Sequence, residues 1–287
     1  MKFENDLGKL IKKRFSCRSF QDKKLEYSTK EELIKACKSV NEGLFGEKLR
    51  LFFLERTENL KSARYEGGFE YIINPGYFIA GKIQNLNYAY VSYGYVLEQI
   101  VLKATDMNLG TCWIGYFNPE FFYEVQLSAD ELLPSIIILG YPAERKALID
   151  ILNTKLYSRG DNRSKWDRLF FIRDFNNPLT NDVAGKFSEP LEMLRLAPSS
   201  GNTQPWRIVK EKNSNTFHFY KQIISYHYEL KKLHNIDIGI AMCHFDLTAK
   251  NLELHGTWED LNPDIKMPEN TEYIISWVQK GTAPQIS

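Results

Sequence analysis

The sequence predicts an α+β fold built from two tandem halves, and two observations lead there. Residues 92–113, SYGYVLEQIVLKATDMNLGTCW, lie without a gap over residues 237–258, DIGIAMCHFDLTAKNLELHGTW, so that Gly94/Gly239, Leu102/Leu247, Ala104/Ala249, Leu109/Leu254 and Trp113/Trp258 coincide. The offset of 145 residues is about half the chain, as a duplication would leave it. Helical and strand patterns also alternate irregularly, which favours α+β over a doubly wound parallel sheet.

Taken in order, FENDLGKLIKK reads as an amphipathic helix, and a second helix is expected over residues 30–40. LRLFFLE (49–55) reads as a strand, followed by the first long core helix within 92–113, ending in a turn before a strand, and then the strand SIIILGYP (135–142). In the second half a helix is expected over 189–196, strands at RIVKE, TFHFY (216–220) and YIISWV (273–278), and the second core helix within 237–258. A fainter echo pairs helix 30–40 with 189–196, and LRLF (49–52) with WRIV (206–209). Between the halves, NTKLYSRGDNRSK (153–165) loses apolar periodicity and collects Gly, Asn, Asp and basic residues, the marks of a linker. The halves are therefore drawn as 1–158 and 159–287.

Composition narrows the function. With 287 residues and 43% hydrophobic content the chain can bury a real core, and a net charge of +1 supplies no bulk basic field for nucleic acid or an anionic membrane. Any anion site must be local. Cys17, Cys37, Cys112 and Cys243 form neither a CxxC pair nor a disulfide framework, which suits a reducing compartment and argues against zinc. No apolar stretch of the secretory kind and no run of about 18 apolar residues is found, so a soluble, cytoplasmic protein is expected. The five histidines all lie in the second half at no metal-like spacing, and no Ser-His-Asp or Cys-His set stands out. His244, on the second core helix, reads as a hydrogen-bonded helix residue.

Three stretches carry candidate chemistry. In KKRFSCRSF, Arg14 and Arg18 flank Ser16, and planar guanidinium forks suit bidentate anion contacts, although basic residues after an amphipathic helix are ordinarily a solvated C-terminal face. LGTCWIGYF (109–117) sets Gly115 between Ile114 and Tyr116, where a missing side chain would admit a flat ligand or simply a tight turn. LAPSSGNTQPW (196–206) is too polar and proline-broken for a helix or central strand, and its Ser199, Ser200, Asn202 and Gln204 can bond a ligand or their own backbone.

Together, RxSxR near the start, LGTCWIG followed by a strand ending GYP, and APSSGNTQPW resemble the flavin-dependent nitroreductase family, in particular its single-chain branch of two fused nitroreductase-like halves. The resemblance covers nearly the whole chain. It implies a nitroreductase-like fold whose halves form a pseudo-dimer, with FMN held between the RxSxR segment and the APSSxNxQPW loop. Carried over residue by residue, it implies that Arg14 and Ser16 meet the phosphate and ribityl chain, that Arg18 faces the pyrimidine end of the ring, and that backbone around Ile114, Gly115 and Tyr116 faces N5 and O4. Arg163 would complete the phosphate pocket, and Pro198, Ser199, Ser200 and Asn202 would close the opposite side. The first half has VNEGLFGEK where the second has APSSGNTQP, and the second has DRLFFIRDF where the first has RFSCRSF, so each half keeps one wall and one site is expected. The implied partners are NADH or NADPH and a small electron-poor acceptor such as a nitroaromatic or quinone, with a monomer as the working unit. No catalytic side chain and no metal is called for, since a flavin carries the hydride chemistry itself. The rival reading is a flavin-binding carrier or sensor without turnover.

Overall fold

A computed structural model of the chain describes residues 1–40, 42–56, 59–144 and 162–280. The expected boundary at 158/159 and most of the expected linker lie outside these residues. The first half contains α1 (Leu7–Lys13), α2 (Tyr27–Lys38), β1 (Leu49–Glu55), α3 (Leu60–Glu66), β2 (Tyr77–Gln84), α4 (Asn87–Asp106), β3 (Gly110–Ile114), β4 (Glu131–Leu132) and β5 (Ile136–Gly140). The second contains β6 (Phe170–Ile172), β7 (Asp174–Pro178), α5 (Asn181–Ala184), α6 (Ser188–Arg195), β8 (Trp206–Lys210), β9 (Thr216–Gln222), α7 (Tyr226–Glu229), α8 (Leu233–Asn251), β10 (Gly256–Glu259) and β11 (Thr271–Gln279).

Each half builds its own sheet. The first runs β1-β2-β5-β3, with β4 also paired to β2; the second runs β10-β11-β9-β8-β6-β7. The order β8-β9-β11-β10 repeats β1-β2-β5-β3, so the duplication seen in the two helices extends to the strands. Among the described residues only the second sheet carries an addition at this edge: β6 pairs in parallel with β8, and β7 folds back on β6.

α4 and α8 are apolar on nearly every side and are accordingly buried along almost their whole length. One core surrounds them, taking Leu49 and Leu51 from the first sheet and Trp206, Phe217 and Trp277 from the second. The helices cross backbone to backbone at the two aligned glycines. A Cβ on Gly94 would overlap the carbonyl oxygen of Ile236, and one on Gly239 would overlap that of Val91. Val91 and Ile236 stand at the same offset of 145 as the glycines, so residue i meets j′ while i′ meets j. That reciprocity is the signature of an isologous, two-fold contact.

As the sequence reading expects, both core helices end in a turn before a strand: they stop ahead of their Gly-Thr, at Asp106 and Asn251, and β3 and β10 follow. Each helix is left through a left-handed residue at equivalent positions, Asn108 (φ 61°) and Glu253 (φ 58°). Strand β2 is absent from the sequence reading because Tyr77–Ala80 are buried on both faces and show no alternation.

Candidate functional site

α1 begins under Asp6, whose carboxylate accepts the amide of Lys9, and ends at Arg14, where the backbone turns extended (φ −58°, ψ 131°). Lys12 and Lys13 stay exposed as a solvated helix end would. Arg14 does not: its side chain is only 6% exposed, Nε lies 4.0 Å from Glu98 Oε1, and Nε has no hydrogen-bond partner. Burial draws its pKa down, and the Glu98 carboxylate opposes that shift. From Arg14 the chain runs beside β3, with Ser16 bridging Thr111 and Cys17 donating its amide to the Thr111 carbonyl at 2.8 Å. Period two in this extended stretch sets Arg14, Ser16 and Arg18 on one side and turns Cys17 into the core.

Glu98, on α4, ties this segment to the second half. Its Oε2 accepts from Trp113 Nε1 at 2.8 Å, and its Oε1 lies 3.0 Å from His244 Nε2 on α8. His244 Nδ1 lies 2.9 Å from the carbonyl of Met193 on α6. A carbonyl only accepts, so Nδ1 carries a proton. The expectation for His244 as a hydrogen-bonded helix residue agrees with this geometry.

The polar loop leaves α6 at Leu196. Pro198 is buried, and Ser199 Oγ accepts the amide of Gln204 at 2.9 Å. Ser200 donates its amide (2.9 Å) and hydroxyl (3.2 Å) to Asp237 Oδ1 near the start of α8. Asn202, left-handed at φ 55°, accepts from Arg163 Nη1 at 2.7 Å and donates to the Asn162 carbonyl at 2.8 Å. Arg163 also donates to the Leu196 carbonyl at 3.0 Å, so it clasps the loop. Asp237 is pushed up in pKa by burial, against hydrogen bonds from His234 and Ser200. Its counterpart at the same offset, Ser92, accepts the amide of Leu44 at 3.0 Å, so both halves tether the equivalent loop to the equivalent helix position.

The third stretch packs on the second half. Ile114 is buried at the end of β3, and a Cβ on Gly115 would come within 2.6 Å of the Leu233 side chain. The close approach at Gly115 is thus already used by a protein neighbour. Tyr116 donates its hydroxyl to the His227 carbonyl at 2.7 Å, stacks on the His227 ring at 4.6 Å, and carries Lys231 Nζ 4.3 Å from its ring centre. Tyr228 stands 6.3 Å from Tyr116 and beside Gly201, where a Cβ would come 2.5 Å from its hydroxyl. Tyr71, pushed up in pKa mainly by burial, also senses Arg18 and Tyr228. Arg14 of the RxSxR segment is therefore linked through Glu98 and His244 to Met193 of α6, the helix that leads into the loop.

Tested against a flavin phosphate and ring, the donor set is uneven. Arg14 brings a buried cation with an unpartnered Nε, and Ser199 uses its oxygen but retains a hydroxyl proton. The side chains of Ser200 and Asn202 are spent on Asp237, Arg163 and Asn162, so the loop would offer chiefly backbone and shape. Glu98 and Asp237 are absent from the sequence reading. Their signal was a buried carboxylate inside a largely apolar core helix, each holding one wall.

A second polar group departs from the sequence reading. His218 Nδ1 lies 2.7 Å from Ser276 Oγ and its Nε2 lies 3.2 Å from Glu211 Oε1, an acid-His-Ser set. Ser276 is fully buried in the middle of β11 and also bonds Tyr273 OH at 2.7 Å, so it cannot meet a substrate. Among the described residues no group of three or more His, Cys, Asp or Glu side chains is arranged to hold a metal.

A family model described as "Putative TM nitroreductase" matches residues 6–249. A solved structure described as a "putative nitroreductase" from Thermotoga maritima is 21% identical, covers 97% of this chain and 95% of its own, and superposes with a TM-score of 0.60. A nitroreductase family protein from Clostridium difficile (19% identity, TM-score 0.39) covers 53% of this chain and 91% of its own. A nitroreductase with bound FMN from Desulfitobacterium hafniense (17% identity, TM-score 0.42) covers 50% and 92%. No curated protein matches the chain.

Proposed function

The chain belongs to the TM nitroreductase family, and from that premise we propose that it is an FMN-dependent oxidoreductase using NADH or NADPH and an electron-poor acceptor such as a nitroaromatic or quinone. FMN, when bound, would supply the redox chemistry, that of a hydride acceptor from the nicotinamide and of a donor to the second substrate in a ping-pong scheme. The observation that carries this reading is Arg14, a cation drawn out of water whose Nε has no hydrogen-bond partner, linked through Glu98 and His244 to the helix that leads into the 197–206 loop of the other half.

In this reading the protein's work is binding and electrostatics. Arg14 and Ser16 hold the phosphate end, and Glu98 keeps the Arg14 guanidinium from turning out to solvent. Arg18 supplies positive charge where a reduced ring becomes anionic, and Ile114–Tyr116 give backbone to the ring edge. Pro198, Ser199, Ser200 and Asn202 close the opposite side, with Arg163 bracing them. Asp237 and His234 fix the loop: His234 Nε2 accepts the Ser225 amide at 3.2 Å, which turns its Nδ1–H toward Asp237 Oδ2 at 3.4 Å.

Anaerobic mixing of the flavin-loaded protein with NADH or NADPH tests the reading. Bleaching of the flavin band, and its return on adding a quinone or nitroaromatic, is expected. A yellow protein that neither nicotinamide bleaches would be a carrier or sensor, and a protein that takes up no FMN would remove the reading altogether.

A further inference from the structure

The two sheets differ at one edge. Beside β8 the second sheet gains β6, running parallel with Phe170 opposite Ile208 and Ile172 opposite Lys210. Leu169 and Phe170 enter the central core there, in the same cluster as Leu191 and Leu194 of α6, and Trp166 packs edge-on against Phe170 at 4.5 Å. The duplication sets β1 and α2 where β8 and α6 stand in the other half. Among the described residues β1 is paired on one side only, by β2. Between β1 and α2 runs a groove of about 760 Å³ whose walls include Ile34, Cys37 and Val40.

We propose that this groove and the edge of β1 that no described strand pairs dock an extended segment of a partner protein, apolar or aromatic at its centre and acidic at its flanks, which adds to the first sheet as β6 adds to the second. An unpaired strand edge presents a row of backbone donors and acceptors, and strand addition to such an edge is a recurrent mode of peptide recognition. Basic residues on an edge are also a common guard against pairing. Here they border an apolar groove, at the position that an aromatic strand fills in the sister sheet. Charge selects the occupant. Lys38, Lys48 and Arg50 are exposed along the groove, while the carboxylate that also lines it, Glu131, is taken by Lys82 at 2.7 Å. A second copy would bring the same cations face to face, so an acidic partner fits better.

A fluorescein-labelled synthetic peptide, Asp-Glu-Leu-Phe-Phe-Ile-Asp-Glu, carries the chain's own 169–172 core between acidic pairs and serves as the probe. Titrated into the full chain, it should raise anisotropy and slow hydrogen exchange at β1 amides that exchange faster than those of β8 in the free protein. A version flanked by lysines should bind about tenfold more weakly, and the Lys48→Glu/Arg50→Glu double variant should reverse that preference. Alternate N-methylation of the peptide amides should abolish binding. The proposal is overturned if neither peptide binds at about millimolar concentration, or if binding ignores flank charge and the double variant. It is overturned equally if free β1 amides are already as protected as those of β8, which would mean the chain covers its own edge. A dimer by light scattering that the double variant dissolves would assign the edge to self-association instead. Both substituted residues are exposed, and an unchanged thermal melt confirms that the double variant folds.

Discussion

Arg14 follows two lysines at a helix end, a place where basic residues usually remain in water, and the structure separates the three by burial rather than by type. Only Arg14 is turned inward, onto Glu98, because the backbone becomes extended at that residue. Arg14→Ala should therefore weaken FMN binding about 10- to 150-fold, the range for losing a hydrogen bond to a charged group, with a smaller effect on folding. Fluorescence titration of the apoprotein measures it, and an unchanged dissociation constant in a folded variant would take Arg14 out of the site. His218 lends itself to a pH test. Burial draws its pKa below 6.5, against Glu211. As pH falls past that value the unfolded chain takes up a proton first, so stability is full above pH 6.5 and declines as pH falls toward the folded-state value. His218→Gln should lose less unfolding free energy than wild type between about pH 7.5 and about pH 5.5; an equal loss in urea melts would place the acid sensitivity elsewhere.

At the scale of elements, the crossing of α4 and α8 depends on two glycines whose obstacles are backbone atoms. Gly239→Ala would drive a Cβ into the Val91 carbonyl and to 2.8 Å from the Tyr95 amide, so the helices must separate. A loss of about 3 kcal/mol, the upper end for overpacking, is expected. Gly115→Ala meets the movable Leu233 side chain instead and should cost less, about 1 kcal/mol. Equal costs in urea denaturation would mean that the helix contact is not tight. Much of this level was legible in the sequence. LRLFFLE is β1 residue for residue, and the 145-residue echo marks the helices that form the pseudo-two-fold contact. Strands such as β6 were not legible, since three residues gain their identity only from β8 alongside. The loop was recognisable as polar and irregular, but its anchor, Asp237, is 37 positions away from Ser200 and emerges only in three dimensions.

At the scale of the whole molecule, the two halves are alike in topology and unlike in charge. Where the second half holds its loop by a carboxylate on the helix, Asp237, and offers Ser199, the first half has a hydroxyl on the helix, Ser92, and a carboxylate in the loop, Glu47. Glu47 Oε2 accepts from Ser92 Oγ at 2.8 Å and from the Phe45 amide at 3.1 Å, and its Oε1 is buried without a partner. A phosphate brought to the symmetry-related position would meet that carboxylate, as well as the loss of the RxSxR pattern from the second half. One chain thus owns a single RxSxR segment and a single APSSGNTQPW loop, linked covalently, so the partner wall is present at high effective concentration without a second chain. The most direct measurement is the FMN stoichiometry of apoprotein shown by light scattering to be a monomer of 33.5 kDa. One FMN per monomer is predicted; two per chain would mean that the degenerate site still works, and flavin retained only by a dimer would mean that the pocket lies between chains.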